Sequence, residues 1–115
     1  MANTFKLKTK ASVGVTTVGI YTAPSATTTT IIGITLANIS GTSINVGIGI
    51  TRAVGDSISL LRNVPIPQGS TLEFMQGNKI VLEATDTLTA KSDVAGSLDV
   101  AVTLLEITWY GFNKD

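Results

Sequence analysis

Hydrophobic residues recur at every second position along most of this chain, and that period leaves few folds open. The clearest run is Ile44, Val46, Ile48 and Ile50, interleaved with Asn45, Gly47, Gly49 and Thr51. Successive side chains of an extended strand point to opposite sides of the backbone, so a period of two marks a strand with one buried face. Leu98, Val100, Val102 and Leu104 repeat the pattern against Asp99, Ala101 and Thr103. Ile32, Ile34 and Leu36 form a third run, and Ile80, Leu82 and Ala84 a fourth. Val18 with Ile20, Ile58 with Leu60, and Leu72 with Phe74 are shorter versions. Thr, Ile and Val dominate these stretches, and β-branched side chains suit a pleated surface. No stretch carries apolar residues at i, i+3, i+4 and i+7 over helical length, so the chain reads as all-β.

Turn signals separate the runs: Ala23-Pro24-Ser25, Ser40-Gly41-Thr42, Val54-Gly55-Asp56, Pro65 to Gly69, Gln76-Gly77-Asn78, Thr85-Asp86 and Asp93 to Gly96. Strands are expected near 4–10, 15–22, 28–39, 43–52, 56–62, 70–75, 79–84, 87–92 and 97–109. Eight or nine short antiparallel strands at this spacing make a two-sheet β-sandwich, jelly-roll-like in outline. An immunoglobulin-like arrangement also suits the count, although its Cys-Trp-Cys hallmark is absent and the lone Trp109 lies near the C-terminus. The 115 residues suit one domain, 1–115, with a basic first strand over 1–10 and an aromatic tail over 109–115.

Composition narrows function more than fold. Hydrophobic residues make up 43% of the chain and charged residues only 14%, against about 25% charged in an ordinary domain. Few charges keep neighbouring copies apart, so association with copies or partners is expected. Eight basic residues balance eight acidic ones. Zero net charge argues against nucleic acid as the partner and supplies no polybasic membrane anchor. There is no Cys and no His. That removes disulfides, thiolate metal sites, the commonest general base and the commonest transition-metal ligand. Residues 1–10 lack the apolar core of a signal peptide, and no run approaches the roughly 20 apolar residues of a membrane span. Synthesis in the cytoplasm of the producing cell is expected.

Nothing in the sequence marks an enzyme. The acids are Asp56, Glu73, Glu83, Asp86, Asp93, Asp99, Glu106 and Asp115, and no motif pairs two of them. Glu83, Asp99 and Glu106 read as solvated faces of strands, and Asp56, Asp86 and Asp93 as turn residues capping their own backbone. Asp86 and Asp93 sit in neighbouring turns, but no D-x-D-x-D-G series accompanies them. Ser and Thr have no His to activate them, and neither a G-x-S-x-G elbow nor a phosphate-cradling glycine loop is present. The expectation is no catalytic, cofactor-binding or metal residue.

Two features point to partners instead. Lys6, Lys8 and Lys10 lie on one face of the first strand, with Phe5 and Leu7 on the other. One reading is an edge strand protected against sheet-to-sheet pairing; the other is an arm that docks on an acidic surface such as a shell protein. Trp109, Tyr110 and Phe112 follow the last strand. They suit closure of the sandwich, an anchor at a subunit interface, or a platform for stacking carbohydrate. Pro65-Ile66-Pro67-Gln68-Gly69-Ser70 reads as a rigid connection between sheets.

The order of several phrases carries a resemblance. Ile20-Tyr21-Thr22-Ala23-Pro24-Ser25 leads into the strand Thr28 to Asn38; Val64-Pro65-Ile66-Pro67-Gln68-Gly69-Ser70-Thr71-Leu72 follows. Lys79-Ile80-Val81-Leu82-Glu83-Ala84-Thr85-Asp86-Thr87-Leu88 comes next, and Leu98 to Ile107 closes the series. Over residues 14–108 this resembles small all-β structural proteins of tailed-phage particles, especially those of cyanophages. In that pattern a Gly usually precedes the Asp at position 86, where this chain has Thr85.

The resemblance implies a virion component. A capsid decoration or cement protein stabilising the head shell comes first, with the major capsid protein or other virion proteins as partners and a homo-oligomer, a trimer foremost. A neck, tail or fibre component is the alternative, and a glycan-binding module for host attachment is a third. Lys6, Lys8 and Lys10 would then contact the shell, and Trp109, Tyr110 and Phe112 would anchor a subunit or the shell.

Overall fold

The computed structural model describes residues 2–75 and 79–108. The expected turn at Gln76-Gly77-Asn78 and the aromatic tail lie outside the described residues. Nine strands follow in order: β1 (Ala2–Val13), β2 (Val18–Thr22), β3 (Thr27–Asn38), β4 (Ile44–Thr51), β5 (Ile58–Ile66), β6 (Thr71–Glu73), β7 (Ile80–Leu82), β8 (Thr87–Ser92) and β9 (Leu98–Thr108). All pairings are antiparallel. One sheet runs β1-β9-β3, with β6 and β7 sharing the far side of β3; the other runs β2-β8-β4-β5. The chain thus passes repeatedly from sheet to sheet, giving the expected two-sheet β-sandwich.

The period of two becomes the core. Ile44, Val46, Ile48 and Ile50 of β4 are buried, and so are Leu98, Val100, Val102 and Leu104 of β9. Ile31, Ile34 and Leu36 of β3, Leu82 of β7 and Leu88 and Ala90 of β8 complete the space between the sheets. Fully burying each such side chain contributes about 1.5–3 kcal/mol relative to exposure. The Gly47 and Gly49 interruptions on the outer face of β4 have a packing cause. A Cβ on Gly49 would lie 2.9 Å from the Ile58 carbonyl oxygen, and one on Gly47 3.3 Å from that of Leu61. The neighbouring β5 backbone leans over β4, and only glycine lets it approach so closely.

Two strands run past their expected ends, while β2, β6 and β7 are shorter than expected. β1 continues from Lys10 to Val13 through a register shift, with Ser12 at φ 56°. β5 runs on to Ile66, with Pro65 opposite Asn45. Proline lacks the N–H of a ladder bond, but β5 is an edge strand and needs none on its open side. The turn is therefore shorter than Pro65 to Gly69. Ser70 N–H donates to the Pro67 carbonyl at 3.1 Å, with Gly69 at φ 70°. The connection does cross between sheets, from β5 to β6.

Buried Asn38 ties that crossing to the rest of the fold. Its amide donates to the carbonyls of Thr42 at 2.8 Å, Ile66 at 2.9 Å and Pro67 at 3.2 Å, and its oxygen accepts from Ser40 N–H at 2.9 Å. One side chain thereby satisfies backbone groups of the β3–β4 loop, the end of β5 and the connection after it.

Thr85 adopts φ 68°. This left-handed region costs a β-branched residue about 1–2 kcal/mol, and glycine enters it freely. Thr85 is exposed, so replacing it loses little packing. Thr85→Gly is expected to raise unfolding free energy by about 1 kcal/mol, after allowing for the greater backbone entropy of glycine. Urea titration checks this; a variant less stable than the parent contradicts the strain.

Candidate interaction surface

β1 is the edge of its sheet, and its register against β9 decides what each of its faces meets. Lys6 stands opposite Leu104, Lys8 opposite Val102 and Lys10 opposite Val100. Directly opposed residues share a face, so the lysine stripe lies on the core side of the sheet. Phe5 stands opposite Leu105, and Leu7 opposite Thr103. The apolar pair is therefore on the outside, 72% and 65% exposed.

The reason is a buried carboxylate. Glu106 follows Leu104 by two positions, so it points between the sheets rather than to solvent, and it is 5% exposed. Glu106 therefore does not sit on a solvated face, contrary to the expectation from its charge. Lys6 Nζ pairs with Glu106 Oε1 at 2.9 Å. The Tyr21 hydroxyl donates to Glu106 Oε2 at 2.5 Å and lies 2.7 Å from the Thr29 hydroxyl, which donates to it in turn. Tyr21 and Thr29 are both buried. Burial alone would raise the Glu106 pKa. The hydrogen bond from Tyr21, the bond and charge of Lys6, and the charge of Lys8 outweigh it and hold the carboxyl below its usual range. Burial first, then the adjacent Glu106, pushes the Tyr21 phenol above its usual range.

The three lysines thus have different duties. Lys6 neutralises a core carboxylate. Lys8 and Lys10 form no ion pair among the described residues. Trp109, Tyr110 and Phe112 lie outside the described residues.

The outer face of the same sheet carries an apolar row. Phe5 opposes Leu105, Leu105 opposes Thr30, and Thr30 opposes Val81. Ile107 lies two positions beyond Leu105 on the same face of β9. Phe5, Leu7 and Val81 are largely exposed, and Leu105 and Ile107 half-buried. The sequence signal for this row was present but unsigned: alternation in β1 separates Lys from Phe and Leu without saying which side faces inward.

Asp86 is also not a solvated turn acid. It accepts Glu83 N–H at 3.0 Å, as a capping aspartate does, but it is buried and pairs with Arg52 Nε at 2.8 Å. Burial opposes its charge; the Ala53 N–H, Arg52 and Glu83 N–H together hold its pKa below the usual value. This cluster clamps the chain after β4 to the turn before β8. The opposite sheet carries an open trough of about 470 Å³ over Gly47 and Gly49, a consequence of the close approach of β5.

No protein-family model matches the chain, and no curated protein does. Among solved structures, a Bacillus endospore appendage protein, described as forming a family of disulfide-linked pili, matches with TM-score 0.56 and 15% identity. That match covers 93% of this chain and 87% of the other. A pentameric capsid protein from metagenomic phage sequences matches with TM-score 0.41 and 18% identity, over 88% of this chain and 60% of the other. The Eiger TNF of S. frugiperda matches with TM-score 0.46 and 11% identity, over 96% and 98%. The first shows the shared sandwich fold; the other two are looser and bear on nothing further.

The depressed Glu106 pKa sets a pH dependence. A carboxyl held below its unfolded value, about 4.3, contributes stability that is present above that value and lost as pH falls through the folded one. Glu106→Gln is expected to be less stable than the parent by about 1–2 kcal/mol at pH 7. The gap should be smaller at pH 3 than at pH 7, because the advantage of the charged carboxylate is lost as pH falls below the unfolded value. Urea unfolding at the two pH values checks it, and a gap independent of pH contradicts the charged network.

Proposed function

We propose that this chain is a non-enzymatic structural subunit of a tailed-phage particle, a decoration or cement protein that stabilises the head shell as a homo-trimer. The observation that carries the reading is the outer face of β1, β9 and β7. Phe5, Leu7, Leu105, Ile107 and Val81 stand together there with no strand or loop of the described chain paired over them. A contiguous apolar patch on a chain with 14% charged residues marks a surface made to be covered. The phrase-by-phrase resemblance to phage structural proteins names the setting. The fold shared with a pilus-forming appendage protein supports a scaffold that multiplies contacts between copies.

The mechanism is buried area rather than chemistry. A specific interface buries on the order of 1,600 Å², and symmetry repeats each contact around the particle. This chain has no Cys, so its contacts carry no disulfide link, unlike those of disulfide-linked pili. Lys8 and Lys10, free of internal pairs among the described residues, are the positive groups offered to the major capsid protein or another virion partner.

Light scattering across a concentration series tests the reading. The expected mass is three times the 11.9 kDa of one chain. Phe5→Ser combined with Leu7→Ser should return it to one chain mass without changing the β-sheet circular dichroism. A parent protein that stays at one chain mass at every concentration contradicts self-association through this face.

A further inference from the structure

The sandwich has four edges, and three are blunted. β6 and β7 are three residues each. β2 has five residues and a register shift between Gly19 and Tyr21. β5 shifts register twice against β4, carries Asn63 at φ 54°, and contains Pro65. Short strands, bulges and proline are the usual means of stopping a sheet from adding further strands. β1 differs. It holds unbroken register with β9 from Ala2 to Lys10 and, among the described residues, pairs with no strand on its other side. Nine residues of extended edge span about 30 Å. The run closes at Ser12, whose N–H turns back to Asp99 Oδ1 at 2.9 Å.

We infer that the free edge of β1 is a strand-docking site for an extended segment of another protein, with carboxylates at alternate positions and apolar residues between them. The inference rests on the reading of this chain as an assembly subunit and names the partner chemistry of its first strand. Charge decides the occupant. An added strand places its side chains on the same two faces as those of β1. On the core side they meet Lys8 and Lys10; on the outer side they meet Phe5 and Leu7. A second β1 paired antiparallel over all nine residues sets Lys6 against Lys6, which is unfavourable; a register shifted to avoid this, with Phe5 opposite Phe5, pairs only seven residues and leaves Lys8 and Lys10 without a countercharge.

No other strand of this chain supplies the complement, because no two of its eight acidic residues are two positions apart. The complement to Lys8 and Lys10 is therefore best supplied by a different protein. Lys8 is half-buried at the rim of the sandwich, where a carboxylate would be less screened than on an open surface. Main-chain bonds along the edge supply affinity, and the alternating side chains supply selection.

The test uses the full chain and a synthetic ten-residue peptide alternating Glu and Val, labelled for fluorescence anisotropy. Saturable binding is expected, weakening as salt rises. Lys8→Glu combined with Lys10→Glu should weaken it at least tenfold, while Lys91→Glu on the other sheet leaves it unchanged. Methylating alternate peptide nitrogens on the paired side should abolish it, because that removes edge hydrogen bonds and keeps the charge. No binding of the alternating peptide overturns the proposal. So does equal binding of a peptide of the same composition with its Glu residues clustered. Failure here is distinct from failure of the assembly reading. A trimer that ignores the peptide overturns only the docking site, and a monomer that binds it overturns only self-association.

Discussion

One ion pair sets which way the first strand faces. Glu106 sits on the core side of β9, 5% exposed, and Lys6 reaches it at 2.9 Å. Because strand side chains alternate, placing Lys6 on the core side also places Lys8 and Lys10 there and sends Phe5 and Leu7 outward. The opposite facing would turn two apolar side chains inward, for about 1.5–3 kcal/mol each at full burial. Full burial is not on offer at an edge where the Lys6 side chain is still 41% exposed. The opposite facing would also strip the countercharge from a buried carboxylate, which costs about 3–5 kcal/mol. The charged arrangement wins, and the apolar outer face follows from it.

Elsewhere the sandwich is closed by polar side chains that take the place of missing ladders. Asn38 gathers the β3–β4 loop and the end of β5. Arg52 and Asp86 join the chain after β4 to the turn before β8. Ser92 and Ser97, both buried, lie 2.6 Å apart across the β8–β9 turn, and Ser97 donates to the Val94 carbonyl at 2.7 Å. Asn38, Asp86, Ser92 and Ser97 are buried and each is hydrogen-bonded, so each removes an alternative arrangement of its loop. With the loops fixed, the ends of the long strands β1, β3 and β9 are fixed too, and the outer face of their sheet is a preformed surface.

The strand count, the all-β class and the core residues of β4 and β9 were legible because a period of two is a local property. Pro65 misled because proline usually ends a strand; whether it lies at an edge is a tertiary fact. Glu106 was legible in principle, since counting by two from Leu98 reaches it. Its charge argued for solvent, and the partners that make burial tolerable, Tyr21 and Lys6, come from distant strands. The lysine stripe was found, but its facing depended on that same distant network. Thr85, where a Gly is usual in the resembling proteins, stood out in sequence, and its φ of 68° supplies the reason a glycine suits the position.

The facing of β1 is tested most directly by a double-mutant cycle between Lys6→Met and Glu106→Gln, read as unfolding free energies at pH 7. If Lys6 lies beside Glu106, the two substitutions are non-additive, with a coupling of about 1–2 kcal/mol. Strict additivity would mean that the two residues do not meet. It would contradict the core-side placement of the lysines, and with it the outward face of Phe5 and Leu7.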